Sequence, residues 1–204
     1  MKNSKTEIVE DYPVSWDIDE FKNLKTFGEI IKYCEENLTR ISSGSARIVY
    51  KIDDEKVLKL AKNKKGIAQN EVEIGYSNDY YARNIVAETF EYDDDYLWLE
   101  MQLAKKLDRA TFKRITNLDF NSYVYGIIFY SGKENNHQSE TLKYLLENDF
   151  FLTVIDFINT FELPCGDFTK LNSYGLVNKD GKESIVLIDY GLTDKVFDDF
   201  YWQK

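Results

Sequence analysis

Three side chains late in the sequence carry the first chemistry: Asp167 and Asn172 in the segment GDFTKLN, and Asp189 at the end of the apolar run IVLID. Phosphoryl transfer requires such a set. One carboxylate orients or deprotonates an acceptor hydroxyl, while an amide oxygen and a second carboxylate hold Mg²⁺ on nucleotide phosphates. Any one acid among the 36 Asp and Glu residues reads by itself as a solvated loop carboxylate. A short loop followed by a hairpin brings the three together, and that combination makes a shared site the sharper reading.

The other half of such a site is a cation for the phosphates. Lys59 lies in VLKL, and strand alternation turns its side chain to one face, toward a cleft if the strand is internal and toward solvent if it is an edge. A buried lysine needs a partner. Glu71 and Glu73 follow on a helical segment, and about 200° of helix separates them, so only one faces inward. Glu73 is preferred from its spacing to Gly66 and Asn70, with Glu71 the alternative. Upstream, Ser42-Ser43-Gly44-Ser45-Ala46 is small enough for backbone amides at Gly44 and Ser45 to approach phosphates, although one glycine is also ordinary turn punctuation.

These residues need elements to position them. From Asp19, a plausible N-cap, Phe21, Leu24, Phe27, Ile30, Ile31 and Cys34 form one helical stripe, predicting a helix to about Leu38. Ile48 and Tyr50, the turn DDEK and VLKL predict a hairpin over 45–62, and helical character returns over 64–80. NIVAETFEY and DYLWLEMQL, separated by Asp93-Asp94-Asp95, predict a second hairpin. After Leu107 the pattern is helical, with the longest helix expected from about Ser139 to Phe161 and bounded by Pro164. A final hairpin with the turn NKDG leads to Asp189. The boundary between strand-rich and helical parts falls near Ala104, giving an arm and helix over 1–40, a mixed lobe over 41–104 and a mainly helical lobe over 105–204.

Composition bounds the function. A chain of 204 residues with 43% hydrophobic and 30% charged residues is a folded domain or two small lobes sharing a cleft. The net charge of −10 argues against binding duplex nucleic acid or an anionic membrane, because it repels phosphate at long range. Two cysteines far apart and one histidine exclude a structural zinc site and a disulfide framework. Cys165 after Pro164 reads as a buried thiol and His137 in ENNHQSE as a loop residue. No run of about 18 apolar residues and no signal-like start point to a cytoplasmic protein. Tyr80-Tyr81, Tyr123-Val124-Tyr125 and Phe200-Tyr201-Trp202 offer base-stacking surfaces, but packing explains them more simply, the last by folding back over the cleft or the helical lobe.

In this order the elements resemble the protein-kinase-like superfamily over roughly residues 40–193. ISSGSARIVYKI resembles a glycine-rich loop that has kept one of three glycines, VLKL the strand with the phosphate-binding lysine, and KGIAQNEVEIGY the helix whose glutamate pairs with it. LWLEMQL resembles the strand and hinge that hold adenine through backbone groups near Glu100, Met101 and Gln102. GDFTKLN is similar to the catalytic loop, with Asp167 as base and Asn172 as metal ligand, and IDYG to the metal-binding Asp-Phe-Gly segment, with Tyr190 as the aromatic. The likeness extends to small bacterial and phage-encoded kinase-like proteins and, through GDF followed by three residues and Asn, to aminoglycoside-phosphotransferase-like enzymes.

The resemblance implies an α+β, two-lobed fold: an antiparallel-sheet N-lobe with one helix and a reduced, mainly helical C-lobe. It implies ATP and Mg²⁺ as cofactors and transfer to a protein or small-molecule hydroxyl. Gly166 stands where an arginine precedes the base in ordinary protein kinases, and only a short segment follows Gly191 where a peptide platform would lie. The alternative is therefore a pseudokinase scaffold that binds a protein partner, such as a phage or mobile-element protein blocking a host factor. The acidic runs Glu91 to Asp95 and Asp194 to Asp199 then meet a basic partner, or else simply form solvated faces.

Overall fold

The structure is a computed structural model that describes residues 16–130, 140–179 and 181–201. Pro13, His137 and Trp202 lie outside the described residues. The helical stripe expected over 19–38 forms two helices, α1 (Ile18–Lys22) and α2 (Phe27–Asn37). The division has a local cause. The Asp17 side chain caps α1, and Thr26 and Glu29 form a reciprocal capping box that starts α2 afresh.

Three strands follow: β1 (Thr39–Ser43), β2 (Arg47–Lys51) and β3 (Lys56–Ala61). The expected hairpin over 45–62 is β2 and β3. β1 extends it, and every one of its residues is exposed, so no apolar alternation marks it in the sequence. After α3 (Lys64–Ser77), β4 (Thr89–Tyr92) and β5 (Trp98–Gln102) complete an antiparallel sheet in the order β1-β2-β3-β5-β4. Its central strand β3 is buried on both faces. Leu58 and Leu60 join Ile48, Tyr50 and Trp98 in a core closed by Phe21, Ile30, Tyr33 and Cys34 of α1 and α2. Each such leucine contributes about 1.5–3 kcal/mol by leaving water. Val57 and Lys59 take the opposite face with Leu99 and Met101, toward α3 and the second lobe.

The second lobe begins at β6 (Lys105–Lys106), which pairs with β7 (Tyr174–Lys179), itself paired with β8 (Lys182–Leu187). Between them lie α4 (Arg109–Thr116), α5 (Phe120–Tyr130), α6 (Glu140–Leu146) and α7 (Asp149–Thr160). The long helix expected over 139–161 is α6 and α7, because Asn148 turns out of the helix and caps the nitrogen of Phe151. Gly126 lets α5 approach closely, since a Cβ there would lie 2.5 Å from a Leu145 methyl and 2.7 Å from the Phe151 ring. The lobes share one apolar core running from Val57 and Leu99 to Phe112, Tyr123 and Phe151. They are also joined by backbone bonds, from Ala87 N to Leu187 O at 2.8 Å and from Leu187 N to Ile85 O at 2.7 Å. The last element, α8 (Asp194–Phe200), packs on α3. The fold is thus α+β and two-lobed, an antiparallel-sheet lobe on a mainly helical one. Among the described residues no helix is long and apolar enough to cross a membrane.

Candidate functional site

A cavity of about 1050 Å³ opens between the lobes. It is roofed by the β1–β2 turn at Gly44 and Ser45, walled by Val49, Val57, Lys59 and Met101, and floored by Asp167, Asn172 and Asp189. The turn is held in place: Lys62 Nζ donates to the Gly44 carbonyl at 2.8 Å and Asn63 Nδ2 to the Ser45 carbonyl at 3.0 Å. Asn63 is also the N-cap of α3, so turn and helix start are tied together.

Lys59 points inward because it alternates with Leu58 and Leu60, which fill the opposite core. It is 5% exposed, and its ammonium donates to Glu73 Oε2 at 2.8 Å and to the Ile188 carbonyl at 2.6 Å. Glu73 is wholly buried, whereas Glu71, on the other side of α3, is exposed. Burial alone would push the Glu73 carboxyl up, but Arg47 and Lys59 beside it hold it below the usual carboxylate range. Burial, reinforced by the positive charge of Arg47, lowers the Lys59 ammonium.

Arg47 escaped the sequence reading. It is 8% exposed and contacts both acids, with Nη1 2.8 Å from Glu73 Oε2 and Nη2 2.8 Å from Asp189 Oδ1. Asn70 completes its surroundings at 3.4 Å. The signal was present: Ile48 and Tyr50 face the outer core, so Arg47 and Val49 face the cavity, and Val49 is directly paired with Lys59. Lys170 escaped too. Its ammonium lies 2.7 Å from Asp167 Oδ1, and this hydrogen bond raises its pKa.

The acids on the floor are set by the second lobe. Asp167 opens a tight turn whose Phe168 carbonyl accepts from the buried Tyr174 hydroxyl at 3.1 Å, and Tyr174 in turn pairs with the Tyr123 hydroxyl. Asn172 lies exposed in the next turn, and Ile188 N bonds Ser173 O at 2.8 Å, fixing Asp189 relative to that loop. Tyr190 is buried, its hydroxyl within 3.3 Å of the carbonyls of Glu73 and Ala87. Gly191 passes so near α3 that a Cβ would fall 2.5 Å from the Gln69 carbonyl oxygen. The chain end returns to the same place: Tyr201 lines the cavity, accepts from Gln69 Nε2 at 3.2 Å and lies under the Lys65 ammonium.

Not every expected residue is in the cavity. The Glu100 side chain points away from it, because alternation on β5 gives Met101 to the cleft and Glu100 to the outer face. There Glu100 accepts from Trp16 Nε1 at 2.9 Å and Lys56 at 3.0 Å. Gln102 reaches the cavity wall, but its N–H is bonded to Glu88 O at 2.7 Å and that of Leu103 to Glu55 O at 2.6 Å. The wall continues through Ala104. The acidic runs are partly engaged, since Glu91 pairs with Lys22 and Asp93 accepts from the nitrogens of Asp95 and Leu97. Cys34 and Cys165 are buried thiols, and burial pushes Cys34 up to about 12. Tyr123 packs in the core, whereas Tyr80 and Tyr81 stand exposed.

No family model matches the sequence, and no curated protein matches it. Among solved structures, the chain is similar to the streptomycin–ATP–APH(2″)-IIa ternary complex at 16% identity and a TM-score of 0.36, covering 82% of this chain and 71% of that one. It is also similar to the GDP complex of a variant aminoglycoside 2′-phosphotransferase-IIIa at 9% identity and a TM-score of 0.37, covering 85% and 69%.

Proposed function

We propose that the cleft is a nucleotide site and that the chain is a protein-kinase-like phosphotransferase using ATP with Mg²⁺. One observation carries the reading: a single cavity is lined by Lys59, Asp167, Asn172 and Asp189, with Glu73 buried behind Lys59. The metal donors are oxygens only, the Asn172 amide and the Asp189 carboxylate. Asp189 is 56% exposed on its side chain, so it has an oxygen to offer besides the one Arg47 takes. Such a set suits Mg²⁺, which is satisfied by few protein oxygens together with phosphates. When bound, the ion neutralises charge on the phosphates.

The protein's own groups do the rest. Val49, Val57 and Met101 give the base an apolar slot, and the tethered turn at Gly44 and Ser45 covers the phosphates. Lys59 is fixed by Glu73 toward them. Asp167 accepts a hydrogen bond from the acceptor hydroxyl and takes its proton, and the ammonium of Lys170 beside it stabilises charge arising on the transferred group. Purified protein with radiolabelled ATP and Mg²⁺ is expected to label itself, a casein-like protein or a small polyol or aminoglycoside, and Asp167→Asn is expected to lower the rate by about 10²–10⁴.

A second reading has its own support. Asp167 and Asp189 each already hold a cation, Lys170 and Arg47. A scaffold that binds nucleotide or a protein partner without transfer fits that arrangement. ATP binding without label transfer to any acceptor would favour it.

A further inference from the structure

Arg47 sits where neither the lysine–glutamate pair nor the metal acid requires a cation. Lys59 already pairs with Glu73, yet Glu73 Oε2 takes both Lys59 and Arg47 at 2.8 Å. Glu73 Oε1, equally buried, has no hydrogen-bond partner among the described residues. The second guanidinium nitrogen holds Asp189 Oδ1. Within this cluster two cations thus balance two anions, so Arg47 and Lys59 are both engaged by carboxylates in this state.

We propose that Arg47 is a phosphate-binding residue held in reserve: it occupies Asp189 in the empty site, competes there with a divalent ion, and turns to the phosphates when metal and nucleotide enter. The destination of Arg47 rests on the nucleotide reading above, whereas the competition does not. The geometry supports each part. A divalent ion on the Asp189 carboxylate lies within a few ångströms of a guanidinium that does not deprotonate, so each weakens the other's hold. Arg47 lines the cavity, and phosphate oxygens entering there offer its fork a bidentate anion. The spare oxygen of Glu73 gives the guanidinium an anchor once Asp189 is given up.

The test is a pair of titrations whose results differ in sign. Mn²⁺ is titrated without nucleotide, by calorimetry or electron paramagnetic resonance, into the wild type, Arg47→Met, Arg47→Lys and Arg47→Met/Asp189→Asn. ATP is then titrated in the presence of Mg²⁺. Arg47→Met is expected to bind Mn²⁺ about tenfold tighter and ATP about tenfold weaker. The double variant is expected to lose the gain in Mn²⁺ affinity. Arg47→Lys, which keeps the charge but cannot bridge two carboxylates, is expected to share part of the gain in Mn²⁺ affinity while keeping ATP within about threefold. If Arg47→Met fails to fold, Arg47→Lys decides. Unchanged or weaker Mn²⁺ binding in the Arg47 variants overturns the competition, and tighter ATP binding overturns the reserve role. A wild type that takes Mn²⁺ but no ATP refutes the nucleotide reading instead.

Discussion

Glu73 serves two cations through one oxygen, and this makes the ion cluster unequal in its parts. Removing Lys59 leaves Arg47 on Glu73, whereas removing the Glu73 charge leaves two buried cations with only Asp189 between them. Breaking a buried pair by deleting one side costs about 3–5 kcal/mol when the remaining charge is stranded. Glu73→Gln is therefore expected to lose about that much in chemical denaturation, and Lys59→Met less than half as much. Equal losses would contradict the shared-oxygen arrangement. The same carboxyl gives a pH dependence. Its folded value is held below the ordinary 4.5 by Arg47 and Lys59 against the opposing effect of burial. Its contribution is therefore complete above the unfolded value and drains away as the pH falls toward the folded one. The wild-type melting temperature is expected to drop below about pH 4.5, with a shallower acid limb in Glu73→Gln.

At the scale of elements, glycines and caps set where the site residues stand. Gly191→Ala places a methyl against the Gln69 carbonyl, so the Asp189 loop must move off α3. Such overpacking costs about 1–3 kcal/mol. The expected result is a lower melting temperature together with weaker ATP binding, and a stability loss with ATP affinity intact would show that the loop moves without disturbing the site. The sequence made this scale partly legible. Alternation in VLKL placed Lys59 opposite Leu58 and Leu60, and the spacing in GDFTKLN and IVLID placed the acids. Helix ends were harder. The apolar stripe is continuous through Leu24 and Phe27, yet the Thr26–Glu29 capping box divides it, and Asn148 divides the later helix, because caps act through the backbone and leave the periodicity intact. β1 carried no periodic signal, since an edge strand with every residue exposed shows no apolar alternation, and only the likeness of ISSGSARIVYKI to a glycine-rich loop between two strands pointed to it. Arg47 was legible in face but not in role: its partners come from α3 and the Asp189 loop, contacts that no local pattern encodes.

Across the whole molecule, the two lobes share one core, and α8 closes the gap beside α3. Tyr201 reaches back to Gln69 and Lys65 at the cavity's edge. A chain ending after Asp198 is expected to melt a few degrees lower and to gain less from ATP, and an unchanged melting curve would remove α8 from the account. The central claim is that Lys59, Asp167, Asn172 and Asp189 surround one triphosphate. Thermal unfolding with and without ATP and Mg²⁺, in the wild type and Lys59→Met, tests it most directly. Nucleotide at about 100 times its Kd stabilises a fold by about 2.7 kcal/mol, which for a domain of this size raises the melting temperature by roughly 5–10 °C. The account predicts that rise in the wild type and its loss in Lys59→Met; no rise at millimolar nucleotide, or an equal rise in both proteins, would contradict it.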